Sequence, residues 1–170
     1  MQQVNRETEI NNLLKANEEY SQDFKDGALS SPPKRKLAIL SCMDARLNVE
    51  NALGLNPGDA HIIRNAGGIA TDDAIRSFIV SHELLGTSEF LIINHLDCGM
   101  LKFKDQDLRD RLQEKYKSDA SQLNFHTFED IQVNLKNQIE KIKSSPFLSK
   151  DIIIHGLIYD VKTGKLQKII

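Results

Sequence analysis

Between residues 37 and 95 the chain alternates short apolar runs with helix-forming stretches, and no other feature narrows its possible folds as much. LAILSC (37–42), HIIRN (61–65) and FLIINH (90–95) are brief and mostly apolar, the pattern of strands buried on both faces. Asn48 to Leu55 suits a short helix closed by Asn56-Pro57-Gly58-Asp59. A second helix, capped by Thr71 or Asp72, runs to about Leu85 with Gly86 as its stop. Parallel strands need a long crossover, usually a helix, so the order β-α-β-α-β predicts a parallel sheet covered by helices.

Downstream, Met100 to Lys117 and Phe128 to Lys143 read as helices, the latter with Ile131, Leu135, Ile139 and Ile142 at helical spacing. Ser144-Ser145-Pro146 breaks the chain before DIIIHGLIYD (151–160), a strand that turns at Lys162-Thr163-Gly164-Lys165 into LQKII (166–170) as a hairpin. The fold class is therefore α/β, a central parallel sheet with flanking helices and an antiparallel C-terminal edge hairpin. Residues 6–24 form an amphipathic helix marked by Ile10, Leu13, Leu14 and Tyr20, ended by Gly27 and Ser30-Ser31-Pro32-Pro33. Residues 1–33 thus read as an N-terminal arm, packed on its own domain or on a neighbour. With 170 residues, 40% of them hydrophobic, the expectation is one domain over 1–170 with a single core.

Several function classes fall away. Net charge is −2 and the basic residues are scattered, so neither nucleic acid nor an anionic membrane has an electrostatic footprint; Lys34-Arg35-Lys36 is a solvated loop edge. The first twenty residues carry acids and amides where an export signal needs an apolar run, and no long apolar stretch suits a membrane span. A cytoplasmic location is expected. There, the two cysteines, Cys42 and Cys98, are metal ligands or reactive thiols rather than a structural disulfide.

Two of the predicted strands run directly into potential ligands: 37–41 into Cys42-Met43-Asp44-Ala45-Arg46, and 90–94 into His95-Leu96-Asp97-Cys98-Gly99. In an open α/β sheet, ligands bind beyond the carboxyl ends of the strands where strand order reverses. If strands 37 and 90 are neighbours, with 61–65 outside the first, Cys42, His95 and Cys98 converge. Two thiolates and an imidazole suit zinc, and three protein ligands leave the open position of a catalytic site. Asp44 and Arg46, two residues apart, can pair so that the guanidinium fixes an ionised carboxylate beside the metal. Released from Arg46, Asp44 would instead become a fourth ligand and close the site.

These residues carry a family resemblance. Cys-x-Asp-x-Arg (42–46), Arg64-Asn65-Ala66-Gly67-Gly68 and His-x2-Cys-Gly (95–99), in this order, resemble the signature of the β-class carbonic anhydrases, and HGLIYDVKTGKL (155–166) extends the likeness. Cys98-Gly99-Met100 points to the small Cys-Gly-Met members. The resemblance implies zinc on Cys42, His95 and Cys98, with reversible hydration of carbon dioxide to bicarbonate and a proton by hydroxide at that zinc. It implies an Asp44–Arg46 dyad that orients the nucleophile, and a Gly99 backbone N–H near the substrate. It also implies a homodimer or higher homo-oligomer, with helix 6–24 lying on the partner. The glutamine that many plant-type members place before the first cysteine has no counterpart here, since Pro32-Pro33 occupies that stretch.

Two other functions fit the same residues. Carbonyl sulfide and carbon disulfide are linear molecules that hydroxide attacks as it attacks carbon dioxide, and hydrolases of them resemble the same family. A non-catalytic zinc or redox-sensing module would have Asp44 permanently closing the metal, or Cys42 paired with Cys98. The remaining groups read more plainly. Arg64 to Gly68 is a strand-to-helix turn, His155 a core histidine, and Asp72-Asp73 a helix N-terminus. Asp97 is either an exposed loop acid or a hydrogen-bonding support for the site. As proton shuttles, His61, His82, His126 and His155 are the only imidazoles besides His95.

Overall fold

Among the described residues, five strands form a single sheet. The computed structural model describes residues 6–170, and these divide into two units, the first ending at Ser30 and the second spanning Ser31–Ile170. The first contains helix α1 (Arg6–Gln22). Its apolar side chains Ile10, Leu13, Leu14 and Tyr20 are each at least half exposed, so this helix keeps a solvated apolar stripe.

In the second unit the elements are β1 (Leu37–Cys42), α2 (Val49–Leu53), β2 (Ala60–Asn65), α3 (Asp72–Glu83), β3 (Glu89–His95), α4 (Asp105–Tyr116), α5 (Ile131–Lys143), β4 (Ile153–Tyr159) and β5 (Leu166–Lys168). Strands β2, β1, β3 and β4 pair in parallel and β5 returns antiparallel on β4. The α/β class, the parallel centre, the edge hairpin and the placement of β2 outside β1 are all as expected from sequence.

Local chemistry explains the boundaries. Asn48 caps α2, its side chain accepting from Asn51 N, and Thr71 caps α3 by accepting from Ala74 N. Both carboxylates expected at the start of α3, Asp72 and Asp73, lie in its first turn, where the helix dipole favours them. The turn into β5 is organised by Asp160, whose carboxylate accepts from Lys162 N and the Thr163 hydroxyl. The helix expected over 100–117 is instead a 3-10 turn (Gly99–Leu101) followed, after a break, by α4 from Asp105. Asp105 is the cause. Its carboxylate accepts from Phe125 N, Thr127 N and the Thr127 hydroxyl, so the helix starts where it can hold the loop that follows it.

Alternation along the strands sorts the core. Ala38, Leu40, Phe90 and Ile92 face α3 and α5, where Phe78, Leu135, Ile139 and Ile142 meet them, and Phe78 stacks on Phe90 with ring centroids 4.3 Å apart. Leu37, Ile39 and Ile93 face the other way, against Val49 and Leu55. Among the described residues, no helix is long and apolar enough to cross a membrane.

Candidate metal centre

Cys42 ends β1 and His95 ends β3, so pairing of these two central strands delivers a sulfur and an imidazole to one edge of the sheet. Strand order reverses there, with β2 on one side of β1 and β3 on the other. Cys98 arrives from the loop after β3, which Asp97 turns by adopting a φ of 56°. The two sulfurs and a ring nitrogen of His95 lie within 4.8 Å of one another, and all three residues are buried. Both cysteines are free thiols.

The chemistry of the three donors fits a cation. His95 Nδ1 meets the Leu96 carbonyl oxygen at 2.9 Å, which assigns the ring proton to Nδ1 and leaves a lone pair on Nε2. That Nε2 is buried with no hydrogen-bond partner, a costly state for a nitrogen unless an ion takes its lone pair. The neighbouring Cys98 thiol favours the thiolate at Cys42 and lowers its pKa below the ordinary thiol range, while the closeness of Cys42, with burial, pushes Cys98 up. Burial works against a charged His95, but the Cys42 thiolate beside it prevails and raises its pKa. A thiolate pair with one imidazole is a zinc donor set, and three ligands is the number found where a position is left for chemistry.

Asp44 stands at the rim of this cluster, its Oδ2 3.8 Å from His95 Nε2. Its side chain is 18% exposed and is gripped by Arg46 alone three times: Nε donates to Oδ1 at 3.0 Å, Nη2 to Oδ2 at 2.7 Å and the backbone N to Oδ1 at 2.9 Å. The guanidinium holds the Asp44 carboxyl well below the usual carboxylate range. Arg46 is held in turn by Asp97, and Asp97 by Lys102 at 2.7 Å. Both readings offered for Asp97 hold: it is an exposed loop acid, and its carboxylate accepts from Arg46. Gly99 follows Cys98 directly, is exposed, and has nothing within 4 Å of where a side chain would begin.

Some participants were not legible as such. Arg64 reads as part of a turn, yet its Nε donates to the Cys42 carbonyl and its Nη2 to the Asp44 carbonyl, fixing the backbone of the ligand loop. Asn65 closes the same turn by exchanging two hydrogen bonds with Ile69. Gly68, at φ 63°, lies so close to β1 that a Cβ would stand 3.0 Å from Cys42 N, so the glycine is required by contact as well as by angle. Behind it runs a buried row of amides. Asn94 donates to Gly67 O, Asn134 to Asn94, Gln138 to Asn134, and Ala70 N to Gln138. The available signal was the pair Asn134 and Gln138, four apart, beside the apolar stripe of α5.

The imidazoles sort by register. His61 pairs with Ala38 and His155 with Leu91, each four residues before a ligand, or roughly 13 Å away along a strand. His155 is satisfied as expected, by Glu89 at 2.9 Å, but it is part-exposed rather than in the core. His82 is bonded to the Thr87 carbonyl. His126 sits between Phe125 and Phe128, which pack against the cysteine cluster.

An open parallel sheet with a Cys2His cluster at its switch point and an Arg-held carboxylate beside it defines a zinc-binding α/β protein. Comparison with known proteins narrows this. Residues 37–166 match the family model described as carbonic anhydrase. Beta-carbonic anhydrase 1 of Mycobacterium tuberculosis is 39% identical, the match covering 95% of this chain and 98% of that protein. A carbon disulfide hydrolase of Saccharolobus solfataricus is 36% identical over 94% of this chain and 88% of its own length. The crystal structure of a carbonic anhydrase from Streptococcus mutans superposes with a TM-score of 0.91 at 43% identity, covering 95% of this chain and 97% of that one. The chain belongs to the β-carbonic anhydrase family.

Proposed function

We propose that this protein catalyses the reversible hydration of carbon dioxide to bicarbonate and a proton, with zinc held by Cys42, His95 and Cys98. The observation that carries the reading is a buried, unpartnered His95 Nε2 within 4.8 Å of two sulfurs, with an Arg-held Asp44 carboxylate 3.8 Å from it. Zinc held there would lower the pKa of a bound water far below its bulk value of about 15.7, though less far than a zinc on three imidazoles because two thiolates give it more charge, and so would supply hydroxide increasingly as pH rises. Every other task falls to the chain. Asp44, kept ionised by Arg46, accepts a hydrogen bond from the nucleophile and aims its lone pair. The exposed Gly99 offers a backbone N–H to the substrate oxygen. Leu47, Ala66, Met100, Tyr159 and Val161, packed around the cysteines, give an apolar wall suited to a linear, uncharged molecule.

Carbon disulfide or carbonyl sulfide is the second reading, favoured by the 36% identity to a carbon disulfide hydrolase over almost the whole chain. One preparation decides. Zinc-loaded protein is assayed by stopped flow for carbon dioxide hydration and by sulfide release for the two sulfur substrates. Faster turnover of carbon dioxide supports the first reading, sulfide release without hydration the second. Loss of activity on chelation and its return with zinc is expected in either case.

The proposed assembly is a homodimer or higher homo-oligomer in the cytoplasm, one catalytic domain per chain with residues 1–33 as the arm that reaches a partner. The half-exposed apolar stripe of α1 supports it. Sedimentation equilibrium should give a multiple of the 19.2 kDa chain mass, and a single-chain mass would refute the assembly.

A further inference from the structure

We infer that Asp97, braced by Lys102, is a positioning residue that clamps Arg46 onto Asp44 and ties together the two loops carrying the zinc ligands. The inference rests on the function proposed above and concerns residues that touch neither ligand atoms nor substrate.

The geometry is a row of alternating charge leading out from the metal centre. Asp44 lies innermost and is 18% exposed, then Arg46, Asp97 and Lys102 at 46%, 44% and 62%. Arg46 Nη1 donates to Asp97 Oδ2 at 2.9 Å, and Nη2, already bonded to Asp44, donates to the Asp97 carbonyl at 3.1 Å. The guanidinium is thereby fixed on two sides. Asp44 holds the edge carrying Nε and Nη2, and Asp97 the adjacent edge carrying Nη1 and Nη2, so two edges of the rigid planar fork are held rather than one. Arg46 belongs to the loop after β1, which follows directly on Cys42, and Asp97 to the loop after β3, between His95 and Cys98. The clamp therefore joins the two ligand-bearing loops in front of the metal centre, as strand pairing joins them behind.

The choice of residue follows from the backbone. At φ 56° most side chains are strained, while Gly, Asn and Asp are tolerated. Of these three, only aspartate supplies a charge for Arg46 and a second oxygen for Lys102. The same tolerance makes clean variants available: Asp97→Gly removes the side chain without strain, and Asp97→Asn keeps its shape and removes its charge.

Exposed ion pairs are weak individually, and supporting residues of metal sites typically cost tenfold or more when lost. Asp97→Gly is expected to lower kcat/KM for carbon dioxide by about tenfold, and Asp97→Asn and Lys102→Ala by about threefold. In an Arg46→Ala background, Asp97→Gly should add nothing. The second readout does not depend on turnover. In zinc-loaded protein with 15N-labelled arginine, the Arg46 Nε–H should exchange with solvent several-fold faster in Asp97→Gly. The Arg64 Nε–H, bonded to the Cys42 carbonyl, should stay unchanged and report that the fold survives. If Asp97→Gly does not fold, Asp97→Asn carries both measurements. Unchanged Arg46 exchange, or a loss of rate that persists in full without Arg46, overturns the inference. A protein with no carbon dioxide activity refutes the functional reading instead, and the exchange measurement then still decides the clamp.

Discussion

Replacing a sulfur ligand and replacing the neighbouring carboxylate should have opposite consequences for metal content. Cys42→Ser or Cys98→Ser removes one of three donors and is expected to strip most of the zinc. Asp44→Asn is expected to retain zinc while losing about 10- to 100-fold in rate. Metal analysis of purified protein, set beside stopped-flow rates, separates the two cases, and full activity in Asp44→Asn would remove the carboxylate from the mechanism. The pH dependence follows by sign. Arg46 depresses the Asp44 pKa, so the pair is intact above the ordinary carboxylate range and is lost only as pH falls below it. Between pH 6 and 9 Asp44 does not titrate, so any rise of rate there belongs to another group. At this scale the ligands and the dyad were readable because each sits at a strand end in a short motif. Arg64 was not, because its contacts are to carbonyl oxygens of a different loop, which no spacing in the sequence reveals.

Elements were legible where one face decided them and misread where a side chain had two duties. Helix α5 announces itself through Ile131, Leu135, Ile139 and Ile142, but the polar Asn134 and Gln138 beside that stripe are buried as well. The start of α4 was misplaced because Asp105 both begins the helix and tethers residues 125–127. Burial resists its charge, but the hydrogen bonds from Thr127 and its neighbours prevail and bring it down to about 2. Asp105→Asn is expected to destabilise the fold by about 2 kcal/mol, the scale of hydrogen bonds to a charged group. Urea unfolding at neutral pH measures this. The folded pKa is below the unfolded one, so the contribution is complete above about pH 4 and disappears as pH falls towards 2. The difference between wild type and Asp105→Asn should shrink over that window; a constant gap would assign the loss to packing.

Across the whole molecule, the row Gly67–Asn94–Asn134–Gln138–Ala70 joins the turn after β2, the end of β3 and the middle of α5. Asn134→Leu would leave buried partners on both sides unpaired. It is expected to cost about 2–4 kcal/mol and to lower zinc retention through the turn that packs on Cys42. Thermal unfolding with metal analysis tests it, and a neutral effect would mean the row can re-pair. Strand order was legible because parallel apolar strands leave few topologies and because the ligands make sense only if β1 and β3 are neighbours. The tertiary amide row was not, since its members come from three separate segments.

That convergence from distant segments also sets a timetable. A growing chain exposes Cys42 well before His95 and Cys98 leave the ribosome, an interval of ~3–11 s at about 5–20 residues per second. Throughout it the first sulfur is a lone accessible thiol, with neither its sibling nor an ion to guard it. The site can therefore assemble only once Cys98 has followed, however early β1 emerges.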